Sequence, residues 1–353
     1  MKPKQFSSKL LAWYSKHGRH DLPWQVDRSL YRVWISEIML QQTQVTTVIP
    51  YLERFLDRFN TIESLAGASI DEVLHLWTGL GYYARARNLH KAALSIINEH
   101  QGQFPRDVDT LLSLPGIGRS TAAAILAQAL NQRQPILDGN VKRVLCRWHA
   151  INGWPGTTSV ETQLWELSEQ LTPHDHATDY TQAIMDLGAT LCTRTKPHCG
   201  VCPVANGCTA HATATETDYP YRKPKKTLPT KQTIMLMLRH PNGDILLQRR
   251  PPSGIWGGLW SFPEHEHSDA ARIRAWCRKH TDCNITRIET WPAVKHTFSH
   301  YRLNITPLHI QVKPRASTIM DSDDWVWYNT MHPDARGLAT PVKALLEKLR
   351  NHP

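Results

Sequence analysis

The sequence predicts two domains of different class, an all-α domain followed by an α+β domain. Apolar residues recur at helical spacing through roughly the first 190 residues, where strand-like alternation is scarce. Short β-type segments begin after Lys231. Between these regions, residues 219–231 are rich in Pro and Lys and lack apolar periodicity, which is typical of a linker. We therefore expect a helical domain over 1–218 and a second domain over 232–353.

Composition and charge narrow the classes of partner and compartment. The 353 residues are enough for two cores, and the formal net charge of +10 favours nucleic acid as a partner. No apolar run reaches the ~18 residues of a membrane span, and the N-terminus lacks the apolar core of a signal peptide. Four of the seven cysteines cluster, unlike the pattern of a secreted disulfide scaffold. We therefore expect a cytoplasmic protein without membrane partners.

Helical spacing predicts the elements of the first domain in turn. The expected helices cover 6–16, 31–42, 84–99 and 158–170, and a capping box, Ser69-Ile-Asp-Glu72, predicts the start of another. Glu37 falls in the middle of the second helix, beside its apolar stripe. A carboxyl group there is either a solvated helix edge or a half-buried acid. Desolvation would raise the pKa of a half-buried acid and suit it to general acid catalysis.

A glycine hairpin and the acidic residue that follows it form the central motif. Gly116 and Gly118 let the backbone turn tightly, and the free N–H groups of the next helix suit a phosphate. Ser120 or Thr121 is expected to cap that helix. Asp138 lies in the loop before the following helix, so DNA held at the hairpin would place a nucleotide near a carboxylate. The alternative interpretation is a plain turn between two helices.

The clustered cysteines have the spacing of a metal site. They follow the pattern C-x6-C-x2-C-x5-C, at Cys192, Cys199, Cys202 and Cys208. Four thiolates this close suit tetrahedral zinc or an iron–sulfur cluster, and spacing alone does not choose between them. The other three cysteines lie outside the pattern and are expected to be inert structural thiols; they are Cys146, Cys277 and Cys283.

The second domain begins with a predicted hairpin of strands over 233–239 and 245–249. The segment WGGLWSFPE, 256–264, resembles the approach to the catalytic box of Nudix hydrolases. The residues that follow, HEHSDAARIRAWCRKH, lack the clustered carboxylates that a Mg²⁺ site needs. The sequence therefore predicts a Nudix-like fold without hydrolase activity for this domain. The missing carboxylates also weaken an alternative function for the protein, hydrolysis of free nucleotides.

Four longer motifs precede the cysteine cluster. In chain order they are SEIMLQQTQV, LWTGLGYYARARNLHKAA, LPGIGRSTAAAI and LDGNVKRVL. Together they resemble the MutY-type adenine glycosylases of the helix-hairpin-helix, iron–sulfur DNA glycosylase superfamily, over essentially the whole chain. The resemblance implies a multidomain protein: an all-α helix-hairpin-helix glycosylase domain with an iron–sulfur cluster loop over 192–208, plus an α+β Nudix-like domain. The implied cofactor is a [4Fe–4S] cluster held by the four clustered cysteines.

The resemblance also implies an activity and its setting. The expected reaction is hydrolysis of the N-glycosidic bond of adenine opposite 8-oxoguanine or guanine in double-stranded DNA, after base flipping. We expect a bacterial-type, nucleoid-associated monomer, with repair or replication-clamp partners left open. Two rivals remain, an endonuclease III-like glycosylase with lyase activity and a non-catalytic lesion-binding protein.

The resemblance implies roles for residues at both ends of the scissile bond. Glu37 matches the acid that protonates adenine, and Asp138 matches the carboxylate that stabilises the cationic sugar. Asn140 matches a residue that orders Asp138 and the attacking water. Breaking a C–N glycosidic bond asks for such a pair independently, because negative charge develops on the base and positive charge on the sugar.

The remaining implied roles concern DNA binding. Gln42 and Tyr82 match side chains that wedge into the duplex and replace lost stacking, while one of the adjacent tyrosines, Tyr82 and Tyr83, is expected to pack in the core. Gly116, Gly118 and Ser120 match the hairpin grip on DNA. Lyases of the superfamily carry Lys where this chain has Ser120, so a Schiff base is not expected.

Two further segments complete the implied contacts. Phe298, Ser299 and His300, in the segment KHTFSH, match the loop that recognises 8-oxoguanine, and the alternative there is an ordinary strand with alternating faces. Arg194, Lys196 and His198 in the cluster loop are expected to face DNA.

Overall fold

The computed structural model describes residues 1–223, 227–315 and 324–352. The chain forms two compact units. The first comprises Met1–Gly67 and Asn88–Lys225, and the second comprises Ala68–Arg87 and Lys226–Pro353. Residues 68–87, which the sequence places in the helical domain, thus belong to the second unit. Parts of the predicted linker and of the predicted second domain lie outside the described residues, and the predicted domain boundaries stay a prediction.

Helices make up the regular structure of the described residues before the sheet. In chain order they are α1 (Pro3–His17), α2 (Pro23–Val26), α3 (Leu30–Leu40), α4 (Val45–Arg58), α5 (Ile62–Ala66), α6 (Ile70–Leu76), α7 (Ala84–Glu99), α8 (Val108–Ser113), α9 (Arg119–Leu130), α10 (Gly139–Trp148), α11 (Thr158–Leu171), α12 (Ala177–Asp186) and α13 (Thr209–Ala212). A π-helical turn, Leu187–Leu191, extends α12, and two 3₁₀ turns, Cys199–Val201 and Ala205–Gly207, precede α13.

Most predicted helices are present, but one predicted cap is wrong. Helix α7 has the predicted bounds, and the capping box at Ser69 and Glu72 begins α6. Helix α9 begins at Arg119, with Gly118 as its N-cap and no side-chain cap. Neither Ser120 nor Thr121 therefore caps it. Among the described residues, no helix is long and apolar enough to cross a membrane.

The core of the first unit joins distant helices through their apolar faces. Leu10 of α1, Leu145 of α10, Leu164 of α11 and Ile184 of α12 are fully or almost fully buried in one cluster. Burial of such side chains stabilises the unit by about 1.5–3 kcal/mol each. This packing brings together α9, α10 and the π-helical turn, which carry the candidate site.

The second unit contains a mixed sheet with helices α14 (Ala270–His280) and α15 (Thr340–Arg350). The strands are β1 (Thr230–Arg239), β2 (Ile245–Arg249), β3 (Trp260–Ser261), β4 (Glu264–His265), β5 (Cys283–Thr290), β6 (Val294–Thr297), β7 (Arg302–Pro314) and β8 (Trp325–Tyr328). The central strands run in the order β3-β2-β1-β7-β5, and β1 and β7 pair in parallel while the other pairs of named strands are antiparallel. The predicted hairpin is confirmed, with Arg239 opposite Ile245.

Candidate active site

Glu37 lies on α3 in a half-buried position rather than on a solvated helix edge. Gln128 of α9, itself 3% exposed, donates a hydrogen bond from Nε2 to Glu37 Oε1 at 2.7 Å. Burial raises the pKa of Glu37 to about 7; the Gln128 hydrogen bond opposes the rise and the nearby charge of Asp138 adds to it. Near neutral pH, a large fraction of this carboxyl group therefore carries the proton that a general acid needs.

Asp138 is fixed at the other end of the site as the N-cap of α10. Its Oδ1 accepts a 2.7 Å hydrogen bond from the backbone N–H of Val141, and its Oδ2 accepts one at 3.3 Å from Asn140 Nδ2. Burial raises the pKa of Asp138, while these hydrogen bonds and the charge of Arg143 act in the opposite direction. The side chain is therefore held rigidly, with donors that favour its anionic form.

Arg143 connects Asn140 to the segment that leads into the cysteine cluster. Its Nη2 donates to Asn140 Oδ1 and to the carbonyl of Gly188, each at 2.7 Å, and its Nε donates to the carbonyl of Cys192 at 2.8 Å. Gly188 also lies against Asn140, because a Cβ built at Gly188 would approach Asn140 Cβ to 2.6 Å. The Asn140 amide, and through it Asp138, is thus fixed from two directions.

The glycine hairpin leaves an open backbone surface at the start of α9. Gly116 has φ +84°, and a Cβ there would come within 2.9 Å of Asn88 Cβ, so the position requires glycine. A Cβ at Gly118 would meet nothing within 4 Å, which leaves this face open. Ser120 Oγ accepts a hydrogen bond from the Leu137 N–H at 3.1 Å, so its hydroxyl braces the loop that ends at Asp138.

The two predicted wedge residues are both exposed and both have left-handed backbone conformations. Gln42, in the first unit, has φ 59°, and Tyr82, in the second unit, has φ 49°. Such conformations are uncommon for residues other than glycine and often mark functional positions. Tyr82 is 50% exposed whereas Tyr83 is 7% exposed, which agrees with the expectation that one of these tyrosines packs in the core.

The two arginines that follow Tyr83 are bonded within the second unit, rather than forming a solvated face. Arg85 donates from Nη2 to the carbonyl of Gly81 at 3.2 Å, and Arg87 donates from Nη1 to the carbonyl of Gly257 at 2.7 Å. These two guanidinium groups therefore stabilise the start of α7 through hydrogen bonds inside the second unit.

The segment KHTFSH is partly strand and partly turn. Strand β6 ends at Thr297, and the Phe298 N–H donates to the carbonyl of Tyr301 at 2.9 Å across the turn to β7. The Phe298 ring packs against Trp256, with ring centroids 5.2 Å apart. Ser299 and His300 are exposed at the tip, with Ser299 Oγ 3.3 Å from His300 Nδ1. Their polar atoms are therefore available to a partner.

The four clustered cysteines line one cavity, together with apolar side chains such as Val144 and Leu187. Arg147, 2% exposed, donates from Nη1 to Cys192 Sγ at 3.3 Å and to the Thr193 carbonyl at 2.7 Å. Burial raises the pKa of Cys202 to about 11, so iron must displace the thiol protons on binding. Four sulfur donors, apolar walls and a buried guanidinium fit an iron–sulfur cluster with thiolate ligands.

The other three cysteines and the polar residues of the cluster loop differ in their exposure to solvent. Cys146, Cys277 and Cys283 are buried and unpaired, and burial raises the pKa of Cys146 to about 11, as for an unreactive structural thiol. Arg194, Lys196 and His198 in the cluster loop are exposed. Sequence reasoning missed Gln128, Arg143 and Gly188, whose contacts depend on residues far along the chain.

Three protein families match successive parts of the sequence. Residues 35–170 match the HhH-GPD superfamily of base excision DNA repair proteins. Residues 192–208 match the iron–sulfur binding domain of endonuclease III, and residues 234–348 match the NUDIX domain. The match to the iron–sulfur domain favours a cluster over zinc at the cysteines.

Similar proteins extend over nearly the whole chain. It is 41% identical to the adenine DNA glycosylase of Buchnera aphidicola from Acyrthosiphon pisum, covering 98% of each chain, and 34% identical to that of Homo sapiens, covering 94% of this chain and 71% of the human one. A thermostable thymine-DNA glycosylase structure matches 60% of this chain and 97% of its own at 28% identity and TM-score 0.55. A non-covalent endonuclease III–DNA complex shares the fold over 61% of this chain and 98% of its own, at 21% identity and TM-score 0.52.

Proposed function

Since this chain belongs to the adenine DNA glycosylase family, we propose that it removes adenine opposite 8-oxoguanine or guanine in duplex DNA. It is a DNA N-glycosylase of base-excision repair with an iron–sulfur cluster. The proposed catalytic pair is Glu37 and Asp138. The observation that carries this assignment is the different support of the two carboxyl groups. Burial raises the pKa of both, but Glu37 accepts one side-chain hydrogen bond, from Gln128, whereas Asp138 caps a helix N-terminus and accepts hydrogen bonds from Val141 and Asn140.

In the proposed reaction, the two carboxyl groups act on opposite sides of one bond. The bond between the sugar C1′ and adenine breaks, and its electron pair leaves with the base. Glu37 gives its proton to the adenine ring and so neutralises the charge that develops there. The Asp138 carboxylate stabilises the cationic sugar. Water then adds to C1′ and loses a proton, which leaves an abasic site and free adenine.

Neighbouring side chains keep this pair in place. Gln128 holds the Glu37 carboxyl group by its 2.7 Å hydrogen bond, which leaves the other oxygen, Oε2, to face the base. Asn140, fixed by Arg143, orders Asp138 and the attacking water. Groups held this way need little reorganisation during the reaction. Such preorganisation is the main source of electrostatic catalysis.

The hairpin is proposed to bind the DNA backbone, and two exposed side chains are proposed to insert into the duplex. Gly116, Gly118 and the free N–H groups at the start of α9 would bind backbone phosphate, supported by the open space at Gly118. Gln42 and Tyr82 would insert into the duplex when adenine is flipped. Ser120 has no amine and its hydroxyl is bonded to Leu137, which supports a glycosylase without a Schiff-base lyase step.

Recognition of the opposite base is assigned to Phe298, Ser299 and His300. Their place at the tip of the β6–β7 turn supports this, because Phe298 can stack and the two exposed polar side chains can bond an altered base edge. The cluster, when bound, would be held by Cys192, Cys199, Cys202 and Cys208 and would fix the shape of the exposed loop around them. Repair or clamp partners, the monomeric state and a nucleoid location stay predictions.

A cleavage assay tests this proposal. The purified protein is incubated with a duplex that carries one adenine opposite 8-oxoguanine, and strand breaks are scored before and after alkali. We expect breaks only after alkali, lost in Glu37→Gln and Asp138→Asn but retained in Glu53→Gln, which removes an exposed helix carboxylate of the same unit. Breaks without alkali would favour the lyase rival, and binding without alkali-labile sites would favour the lesion-binding rival.

A further inference from the structure

The segment Ala68–Arg87, which carries Tyr82, is one of two stretches of the second unit; the other, Lys226–Pro353, is its C-terminal part. Near its start, the segment is hydrogen-bonded to this C-terminal part. Both oxygens of Asp71 accept hydrogen bonds there, Oδ2 from Arg249 Nη2 at 2.5 Å and Oδ1 from Trp260 Nε1 at 3.0 Å. The Arg249 guanidinium also lies 5.0 Å from the centre of the Trp260 ring. A carboxylate with two such donors is a strong and directional anchor.

A second anchor lies next to Tyr82 itself. The Tyr83 hydroxyl donates to the carbonyl of Leu338 at 3.1 Å and accepts from the Gly79 N–H at 3.2 Å. The Leu338 N–H in turn donates to Thr78 Oγ1 at 3.4 Å. The backbone on both sides of residues 80–82 is therefore tied to one short stretch of the C-terminal part.

The turn between these anchors is internally braced, so that Tyr82 follows its neighbours. The Trp77 indole and the Arg85 guanidinium both donate to the Gly81 carbonyl, at 3.1 and 3.2 Å. The Arg85 guanidinium lies 5.4 Å from the ring centres of both Trp77 and Tyr82. A shift at Tyr83 or Gly81 would therefore displace the exposed Tyr82 ring.

The same segment packs against the C-terminal part without room for one methyl group. A Cβ built at Gly337 would lie 2.4 Å from Leu74 Cβ and 2.9 Å from Leu259 Cδ2. Leu74 is fully buried and belongs to α6, only eight residues before Tyr82. An added methyl group must therefore push α6 away or distort its surroundings.

We infer that the C-terminal part of the second unit positions the Tyr82 wedge, with Asp71, Tyr83 and Gly337 as positioning residues. The inference rests on the proposed insertion of Tyr82 into DNA and deepens it. A ring that is held ready loses less conformational freedom on insertion than a mobile one. Tyr82 and the Phe298 turn also belong to one compact unit. Insertion of the wedge therefore depends on the part of the chain that is proposed to read the opposite base.

A double-mutant cycle separates positioning from general stability. Asp71→Asn and Gly337→Ala are each made alone and combined with Tyr82→Ala. The DNA is a duplex with 2-aminopurine beside 8-oxoguanine and an uncleavable adenine analogue opposite the 8-oxoguanine. The 2-aminopurine fluorescence reports base unstacking and gives the dissociation constant. We expect each change to weaken binding and unstacking by about tenfold when Tyr82 is present, the scale of one lost charge-assisted hydrogen bond. We expect no further loss in the Tyr82→Ala background.

Asp244→Asn is the matched control, because Asp244 accepts a hydrogen bond from Asn242 within the hairpin turn of the same unit. Should Gly337→Ala fail to fold, Tyr83→Phe replaces it, with Tyr328→Phe as a control of equal burial at 7%. Three outcomes would each overturn the inference. They are losses of binding and unstacking that add fully to the loss in Tyr82→Ala, no losses at all, and a Tyr82→Ala variant that unstacks the DNA normally. A wild type that does not excise adenine would instead overturn the proposed function.

Discussion

The two units hold their proposed functional side chains in opposite ways. In the first, Glu37 and Asp138 are half-buried and hydrogen-bonded by Gln128, Asn140 and the α10 backbone. In the second, Ser299 and His300 lie exposed at a turn. The difference reflects their tasks, since stabilising developing charge needs groups that are already fixed in place. Recognising a base needs polar groups that can exchange water for a partner.

This comparison predicts that a substitution in the catalytic pair, Glu37 and Asp138, lowers adenine excision equally for both mispairs. Asp138→Asn should reduce the single-turnover rate by about 10²–10⁴-fold on adenine opposite 8-oxoguanine and opposite guanine, because the sugar cation loses its carboxylate. Dissociation constants for an uncleavable duplex should stay within about threefold of the wild type, well under the ~1.4 kcal/mol of a tenfold change. A variant that loses activity on one mispair only would place Asp138 in recognition.

The raised pKa of Glu37 predicts a pH profile. Glu37 acts in its protonated form, and its pKa lies at about 7, so activity is retained below that pH and falls as pH rises through it. Well above pH 7 the rate should drop about tenfold per pH unit, as the protonated fraction does. Single-turnover rates between pH 5.5 and 9 measure this. Glu37→Gln should leave a low and flat profile over the same range, and a persisting slope would assign the ionisation to another group.

Gly188 allows a test of how tightly the pair must be held. Gly188→Ala should lower excision by about tenfold on both mispairs, because the new methyl group would meet Asn140 Cβ and tilt the amide that bonds Asp138. Gly200→Ala serves as control, since a Cβ there meets nothing within 4 Å. Cluster content, read from the iron-to-protein ratio and visible absorbance, should be normal in both. An unchanged rate in Gly188→Ala would show that the fixed amide is dispensable.

Local patterns predicted the elements, and long-range packing decided the details of the site. The bounds of α7 and the cysteine motif could be read from the sequence because helical periodicity and ligand spacing are local properties. Gln128 could not be found that way, since its partner Glu37 lies 91 residues away. Ser120 has a local preference for capping α9, yet its hydroxyl bonds the Leu137 N–H across 17 residues instead.

The smallest predicted effect comes from the exposed turn. Ser299→Ala should lower the preference for 8-oxoguanine over guanine by roughly twofold to twelvefold, the range for one hydrogen bond of about 0.5–1.5 kcal/mol to a partly solvated group. Excision of adenine opposite guanine should hardly change, because no catalytic group of the first unit is touched. Competition between the two duplexes in one reaction measures the ratio directly, with Ser268→Ala as an exposed serine control in the same unit. Equal losses on both mispairs would mean that the turn supports DNA binding in general, and the division of labour between the two units would then fail.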